Sequence, residues 1–251
     1  MIKLTDEQKF LIVAGKETIT IGNTKYYVKY GDNPIMELAG EELARRVGIT
    51  CAHYETTEIQ GATFLVSPDL SVNGHEFKSA YELGILSNSL YSIWDYLEKD
   101  KLANTPEIMN KVLKVYFFDT ILRPADRHNA NWGFLFVGDK ITDVCILDNE
   151  LMIAPRTTHM NTAVYEDDTL KDVVPVDPIK DMTVFLKESG PDYMELFKNI
   201  YKSLDPDIVL DVITQIEARE HINLNNIEAQ YLMYINHYLK IGDLINSRGL
   251  K

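Results

Sequence analysis

The stretch 116–150 constrains the possible folds more than any other part of this chain. An apolar segment with helical spacing runs into a polar loop, 126–131, with the sequence Asp-Arg-His-Asn-Ala-Asn. Two predicted strands follow, 132–137 and 141–147, and a Gly-Asp turn joins them. Because a hairpin returns the chain to the place where its first strand began, we expect Asp148, at its end, to lie beside the loop.

The polar residues of this stretch fit the transfer of a phosphoryl group from ATP. In such a reaction a carboxylate, here Asp126, accepts or orients the proton of the attacking hydroxyl. An amide oxygen and a second carboxylate, here Asn131 and Asp148, hold Mg²⁺ against the phosphates. The tripeptide Asp-Arg-His also occurs in ordinary loops, so the prediction depends on the whole set of residues at this spacing.

The elements D-R-H-x-x-N and, two strands later, L-D-N-E resemble the catalytic and metal loops of the HipA-like serine/threonine kinases. The phosphatidylinositol 3/4-kinase superfamily shares the first element. The resemblance implies an α+β, two-lobed protein-kinase-like fold with a small antiparallel-sheet N-lobe, 1–68, and a larger, mostly helical C-lobe, 69–251. It also implies a serine/threonine protein kinase that uses ATP and Mg²⁺. The implied catalytic residues are Asp126, Lys29 and Glu37, and the implied metal ligands are Asn131 and Asp148.

The first thirty residues are predicted to form three short strands, 10–13, 18–21 and 25–30, because β-branched or alternating residues recur between turns. The turn at 13–17, V-A-G-K-E, resembles the phosphate loop of HipA-like kinases, whose backbone N–H groups meet the phosphates. Lys29 lies late in the third strand, where kinases have the lysine that pairs with the phosphates. A plain hairpin and a solvated lysine are the alternative interpretations.

The stretch 34–48 is predicted to be a helix, since a proline opens it, a glycine closes it and apolar residues recur every three or four positions. The resemblance makes Glu37 the partner of Lys29. Glu41, one turn further along the same face, is the rival, and both glutamates could instead be solvated.

Two further strands, near 53–55 and 61–66, are predicted to complete the antiparallel sheet. The chain is then expected to leave the sheet at Pro68, because proline cannot donate to a strand ladder. In kinases this crossing supplies backbone groups to adenine. The residues predicted to contact the nucleotide are Val13, Ala14, Gly15, Lys16, Lys29, Val66, Ser67 and Asp69.

The rest of the chain has mostly helical patterns, at 85–97, from Thr105 to the 126–131 loop, and in four segments after residue 181. Those segments are 182–187, 193–203, 206–220 and 227–247. Several aspartates and glutamates lie between 155 and 181. They are either a solvated loop or a surface beside the cleft that attracts a basic substrate.

Composition limits the expected partners. The formal net charge of −13 and the lack of any basic cluster disfavour nucleic acids and anionic membranes. No apolar run of about 18 residues exists, and the first residues do not resemble a secretory leader, so we expect a cytoplasmic protein. Cys51 and Cys145 are expected to be free thiols.

We expect the partner to be a protein substrate of unknown identity, and the resemblance adds a possible regulatory or antitoxin partner. The alternatives are a lipid or small-molecule kinase, a non-catalytic pseudokinase and a hydrolase with the same carboxylates. Two departures from the HipA pattern stand out. The chain is shorter than HipA, as expected for a lone kinase domain, and Ile12 replaces the serine before V-A-G. Self-inactivation through that serine therefore does not carry over.

Overall fold

The structure, a computed structural model, describes residues 2–30, 33–71, 74–85, 90–100, 104–122, 127–149, 152–153, 191–222 and 227–247. Within these ranges the chain forms seven helices and two four-stranded sheets. The helices are α1 (Asp6–Val13), α2 (Pro34–Arg46), α3 (Leu90–Asp100), α4 (Thr105–Leu122), α5 (Pro191–Ser203), α6 (Pro206–Glu220) and α7 (Ile227–Ser247). The strands are β1 (Thr18–Ile21), β2 (Thr24–Tyr30), β3 (Thr50–Cys51), β4 (Glu55–Ile59), β5 (Ala62–Pro68), β6 (His75–Ser79), β7 (Trp132–Val137) and β8 (Lys140–Ile146).

The first sheet is antiparallel and has the order β1-β2-β5-β4. Successive side chains of a strand point to opposite faces. On one face, Val28 and Phe64 pack with Ile12 of α1 in a small apolar cluster. On the other face, Lys29 stands opposite Leu65, which belongs to the main core. The sheet therefore directs Lys29 towards the core side.

The predicted strand at 10–13 is wrong, because these residues are the last turn of α1. Thr5 and Gln8 form a reciprocal capping box at the start of this helix, and two acidic residues occupy its first turn. Ile12 then packs beside Ile19 and Ile59. These local signals outweigh the β-branched character of the segment.

As expected, the chain leaves the sheet at Pro68: β5 runs two residues beyond the predicted end at 66 and ends at Pro68, opposite Tyr26. The N–H of Asp69 donates to the carbonyl of Lys25 in β2. Since N–H groups alternate sides along a strand, the missing donor of Pro68 faces the other side, where pairing with β4 ends at Val66. The proline therefore costs the ladder no hydrogen bond.

The second sheet contains the predicted hairpin and has the order β3-β8-β7-β6. β7 and β8 are antiparallel and joined at Gly138, whose φ of 58° suits glycine. β3 pairs with β8 in parallel, Thr50 opposite Cys145, so a strand from within 1–68 belongs to this sheet. The domain boundary at residue 68 stays a prediction.

The main core joins α2, the second sheet and the helices from α3 onward. α4 is buried along most of its length, and its Phe117 ring packs 4.9 Å from that of Phe197 in α5. The predictions for α2, α5, α6 and α7 are confirmed. The helix expected from residue 85 begins at Leu90 in the described residues.

Two predicted segments, the helix at 182–187 and the acidic stretch between 155 and 181, lie outside the described residues. Both cysteines are free thiols. In the part of the chain that the structure describes, no helix is both long enough and apolar enough to cross a membrane.

Candidate active site

Three side chains from separate segments meet between the two sheets. The Nζ atom of Lys29 lies 2.8 Å from Oδ1 of Asp148 and 3.5 Å from Oε2 of Glu37. The Glu37 side chain is fully buried, whereas those of Lys29 and Asp148 are each 30% exposed. One ammonium group is thus held between a buried carboxylate and a carboxylate that solvent can reach.

The two glutamates of α2 have different partners. Glu37 contacts Lys29, and its Oε1 accepts the backbone N–H of Asn149 at 2.8 Å. Glu41 instead accepts the backbone N–H of Tyr54 at 2.9 Å and lies 2.7 Å from Nδ1 of His53. The structure therefore places Glu37, rather than its rival, beside the lysine, and connects the same carboxylate to the residue after Asp148.

Arg127 organises the loop and the end of the hairpin around its guanidinium group. Its Nη1 donates to the carbonyl of Asn131 at 3.0 Å and also contacts the carbonyl of Leu147. Its Nη2 donates to Oδ1 of Asn149 at 2.7 Å, and its Nε pairs with Asp119 at 3.0 Å. One buried cation thereby fixes both segments that carry the predicted metal ligands.

Asn131 lies next to the end of the hairpin. Its N–H donates to the carbonyl of His128, and its own carbonyl accepts the N–H of Leu147 at 2.8 Å. Nδ1 of His128 accepts the N–H of Ala130 at 3.1 Å, so this histidine shapes the loop. The backbone of Asn131 is thus hydrogen-bonded to Leu147, the residue before Asp148. Asp126 lies outside the described residues, and its position and role stay predictions.

The backbone of Asp148 is left-handed, with a φ of 53°. Aspartate adopts this conformation more readily than most residues other than glycine, and neighbouring contacts hold it here. The Asp148 N–H donates to the Tyr54 hydroxyl at 3.4 Å, its carbonyl lies 3.5 Å from Nη1 of Arg127, and the next N–H donates to Glu37. Sequence reasoning missed Tyr54, since nothing in its local pattern separates it from an ordinary strand residue.

The predicted phosphate turn occupies the end of α1. The N–H groups of Ala14, Gly15 and Lys16 donate to carbonyls of the preceding helical turn at 2.9–3.0 Å. The carbonyl of Glu17 accepts the N–H of Val28, which puts the turn at the Lys29 end of the sheet. These N–H groups could meet phosphates only if the last turn of α1 opened, and the assignment stays a prediction.

The residues predicted to contact adenine lie at the C-terminal end of β5. Val66 is paired on both sides, and Ser67 stands opposite Tyr27 on the same sheet face as Lys29. Asp69 follows the strand, with its carboxylate 3.8 Å from Nζ of Lys25. Ser67 therefore shares a sheet face with Lys29, whereas Val66, opposite Val28, lies on the other face. The contact of these residues with adenine stays a prediction.

The donor atoms suit a magnesium ion. Asp148 offers a carboxylate and Asn131 an amide oxygen, and Mg²⁺ prefers one or two such protein ligands together with waters and phosphates. Oδ1 of Asp148 already holds a cation, the ammonium of Lys29. Among the described residues there is no cluster of three His, Cys, Asp or Glu that could bind a metal by itself. A site completed by phosphates fits this composition.

Gly40 allows α2 to approach the end of the hairpin closely. A Cβ atom at this position would overlap the Cβ of Asn149 and press on the side chain of Met152. Glycine in the middle of a helix is otherwise unfavourable by about 1 kcal/mol relative to alanine. The close approach therefore explains why a glycine occurs at this position.

We expect Gly40→Ala to lower the free energy of unfolding by about 1–3 kcal/mol, because the added methyl group overpacks this contact. Chemical denaturation measures that change, and nucleotide binding should weaken in parallel. Gly242→Ala in α7 is the matched control, since its Cβ would meet the hydroxyl of Tyr201, away from the site. Because Gly242→Ala also meets a side chain, it too should lower stability, but it should leave nucleotide binding unchanged. A stabilised Gly40→Ala, or equal weakening of nucleotide binding in both variants, would contradict the close-approach interpretation.

The two sheets, the helix behind the first sheet and the hairpin that ends in Asp148 define a kinase-like α+β fold. A Helicobacter pylori proinflammatory kinase, CtkA, has this fold, with a TM-score of 0.60, 14% identity, and 89% of this chain and 88% of that chain covered. So does HipA in the Shewanella oneidensis complex of HipA, HipB and operator DNA, with a TM-score of 0.58 and 13% identity. That match covers 91% of this chain but 62% of HipA.

At this level of identity the likeness establishes the fold, and the HipA-like kinase fold expected from the sequence is confirmed. No protein family matches the chain by sequence, and no curated protein does so either.

Proposed function

We propose that this protein is a phosphotransferase that transfers the γ-phosphoryl group of ATP, with Mg²⁺, to a serine or threonine hydroxyl of a protein. The observation that carries the proposal is the meeting of Lys29 with Glu37 and Asp148. A lysine braced by a buried glutamate, beside an aspartate that can hold Mg²⁺, is the arrangement that protein kinases use for phosphoryl transfer. The kinase-like fold supports the same conclusion.

Each residue has a distinct role in the proposed reaction. Lys29 would bind the phosphates, and Glu37 would hold its ammonium in place. Asn131 and Asp148 would hold Mg²⁺, which neutralises charge on the phosphates. Asp126 would accept the proton of the substrate hydroxyl as its oxygen bonds to the γ-phosphorus and the bond to ADP breaks. Because the transition state is loose, positioning and electrostatics supply most of the acceleration.

The choice of a protein substrate rests on charge and on the motif resemblance. A net charge of −13 repels anionic lipid headgroups and nucleic-acid phosphates, and this disfavours both as substrates. HipA is described in a complex with HipB and operator DNA. By analogy, we propose a regulatory or antitoxin-like protein partner for this chain, to be sought by co-purification from the source cells.

The assignment of Asp126 gives a direct test. We expect Asp126→Ala to reduce phosphoryl transfer by about 1,000-fold or more while ATP affinity stays within about threefold, because the residue acts on the hydroxyl proton and not on the nucleotide. Radiolabelled ATP added to a cell lysate, with wild type and variant compared, measures transfer and reveals the labelled acceptor. ATP affinity is measured separately by calorimetry.

Other outcomes of this experiment would contradict the proposal. Loss of ATP binding in Asp126→Ala would show that its role is wrong. Phosphate release from ATP without a labelled acceptor would indicate a hydrolase, and label in phosphoinositide vesicles rather than protein would indicate a lipid kinase. A wild-type protein with no Mg²⁺-dependent nucleotide binding would be a pseudokinase.

A further inference from the structure

Tyr54 lies between the side chain of Glu37 and the backbone of Asp148. Its hydroxyl accepts the backbone N–H of Asp148 at 3.4 Å and interacts with the carboxylate of Glu37. Burial, followed by the charge of Glu37, raises the pKa of Tyr54 well above its usual value. A tyrosine hydroxyl can donate to a carboxylate while it accepts from an N–H group.

The backbone around Tyr54 is anchored on two sides. Its N–H donates to Oε2 of Glu41 at 2.9 Å, which connects it to α2. Two residues earlier, the N–H of Ala52 donates to the carbonyl of Ile146 at 3.0 Å, which connects the segment to β8. A ring held in this way places its hydroxyl at a fixed point beside Asp148.

The conformation of Asp148 gives this contact its importance. A left-handed φ at a non-glycine residue persists only when its surroundings hold it. The direction of the Asp148 carboxylate depends on this backbone conformation, and that direction decides whether it can face a cation. The N–H that Tyr54 accepts belongs to the same residue.

We infer that Tyr54 is a positioning residue whose hydroxyl holds the backbone of Asp148 so that its carboxylate faces the metal and the phosphates. The inference rests on the proposed function, because the orientation matters only if Asp148 holds Mg²⁺. Loss of the Tyr54 hydroxyl should therefore weaken the part of ATP binding that depends on Mg²⁺. Tyr54 itself contacts neither substrate nor metal in this role.

The test compares Tyr54→Phe with Tyr234→Phe. Tyr54 is partly buried and Tyr234 is buried, both have raised pKa values, and the hydroxyl of Tyr234 donates to the carbonyl of Leu204, among the C-terminal helices. Each variant keeps the ring and loses one hydroxyl. A merely structural hydroxyl should affect the melting temperature in either variant but should leave the response to Mg²⁺ unchanged.

For Tyr54→Phe we expect the gain in ATP affinity on adding Mg²⁺ to fall by about 3- to 10-fold, the size of one hydrogen bond. ATP affinity without Mg²⁺ should stay within about twofold of wild type. Calorimetry with and without MgCl₂ measures both quantities. In the transfer reaction kcat should fall more than the KM for the acceptor changes, and Tyr234→Phe should match wild type in every nucleotide measurement.

Several results would overturn the inference. In the first, folded Tyr54→Phe gains ATP affinity on adding Mg²⁺ to within about twofold of the wild-type gain. In the second, Tyr234→Phe loses as much of that gain as Tyr54→Phe does. A wild-type protein without any Mg²⁺ effect on ATP binding would overturn the proposed function and this inference with it. If Tyr54→Phe does not fold, Glu41→Gln, which weakens the hold on the Tyr54 backbone, must show the selective loss instead. An undiminished Mg²⁺ effect in that variant would be equally decisive.

Discussion

Asp148→Asn should reduce phosphoryl transfer by at least about 1,000-fold, equivalent to about 4 kcal/mol of transition-state stabilisation. The asparagine keeps the shape of the side chain and an oxygen for Lys29, so the fold should survive. It loses the negative charge that faces the ammonium at 2.8 Å and that would hold Mg²⁺. The same substitution should abolish the increase in ATP affinity on adding Mg²⁺, which calorimetry measures.

Asp143→Asn is the matched control for this substitution. Asp143 lies five positions earlier, at the same side-chain exposure of 30%, and also pairs with a lysine, Lys111, at 3.3 Å. Its other partner is the hydroxyl of Thr50 at 2.7 Å, and both partners belong to the sheet and α4 rather than the site. We expect this variant to transfer phosphate within about threefold of wild type, since a partly exposed ion pair contributes about 1 kcal/mol or less.

A different pattern would refute the assignment of Asp148. If Asp148→Asn and Asp143→Asn lost activity equally, the effect would come from general loosening of β8. If Asp148→Asn kept its response to Mg²⁺, the metal would be held by other residues. Melting curves for both variants exclude loss of fold as the cause.

The hairpin and its polar neighbours were predictable from the sequence because their pattern is local. Apolar runs rich in aromatic and β-branched residues on either side of a Gly-Asp turn indicate the two strands, and the hairpin then returns the chain to Asn131 just before Asp148. The prediction of Lys29 beside Glu37 came from resemblance, and the structure contains that contact. Their roles in catalysis stay predictions, as does the position of Asp126.

Features that depend on tertiary contacts could not be predicted from the local sequence. β3 is two residues long and forms only because β8 lies beside it. Gly40 looks like a weak point in a helix until Asn149 is seen against it. At the N-terminus the apolar run 10–13 suggested a strand, whereas the capping box at Thr5 and Gln8, a local signal present in the sequence, indicated the helix that forms.

Arg127→Lys should lower the free energy of unfolding by about 3 kcal/mol, which corresponds to a melting temperature lower by about 9 °C. The guanidinium group contacts Asn131, Leu147 and Asn149 on one side and Asp119 on the other, with its side chain 8% exposed. A lysine ammonium is one point charge on a flexible stem and cannot replace donors that point in several directions. Buried carbonyl groups would lose their partners.

Arg46→Lys provides the control, because Arg46 is on the surface and pairs with Glu42 at 3.2 Å on the same helix. Its substitution should change the free energy of unfolding by less than about 0.5 kcal/mol. Asp119 gives a second check. Burial raises the pKa of Asp119, and the charge of Arg127 opposes that rise. Adding Asp119→Asn should therefore lower the free energy of unfolding less in the Arg127→Lys variant than in the wild-type protein. A melting temperature for Arg127→Lys within about 2 °C of that for Arg46→Lys would show that the guanidinium network does not hold the loop to the hairpin.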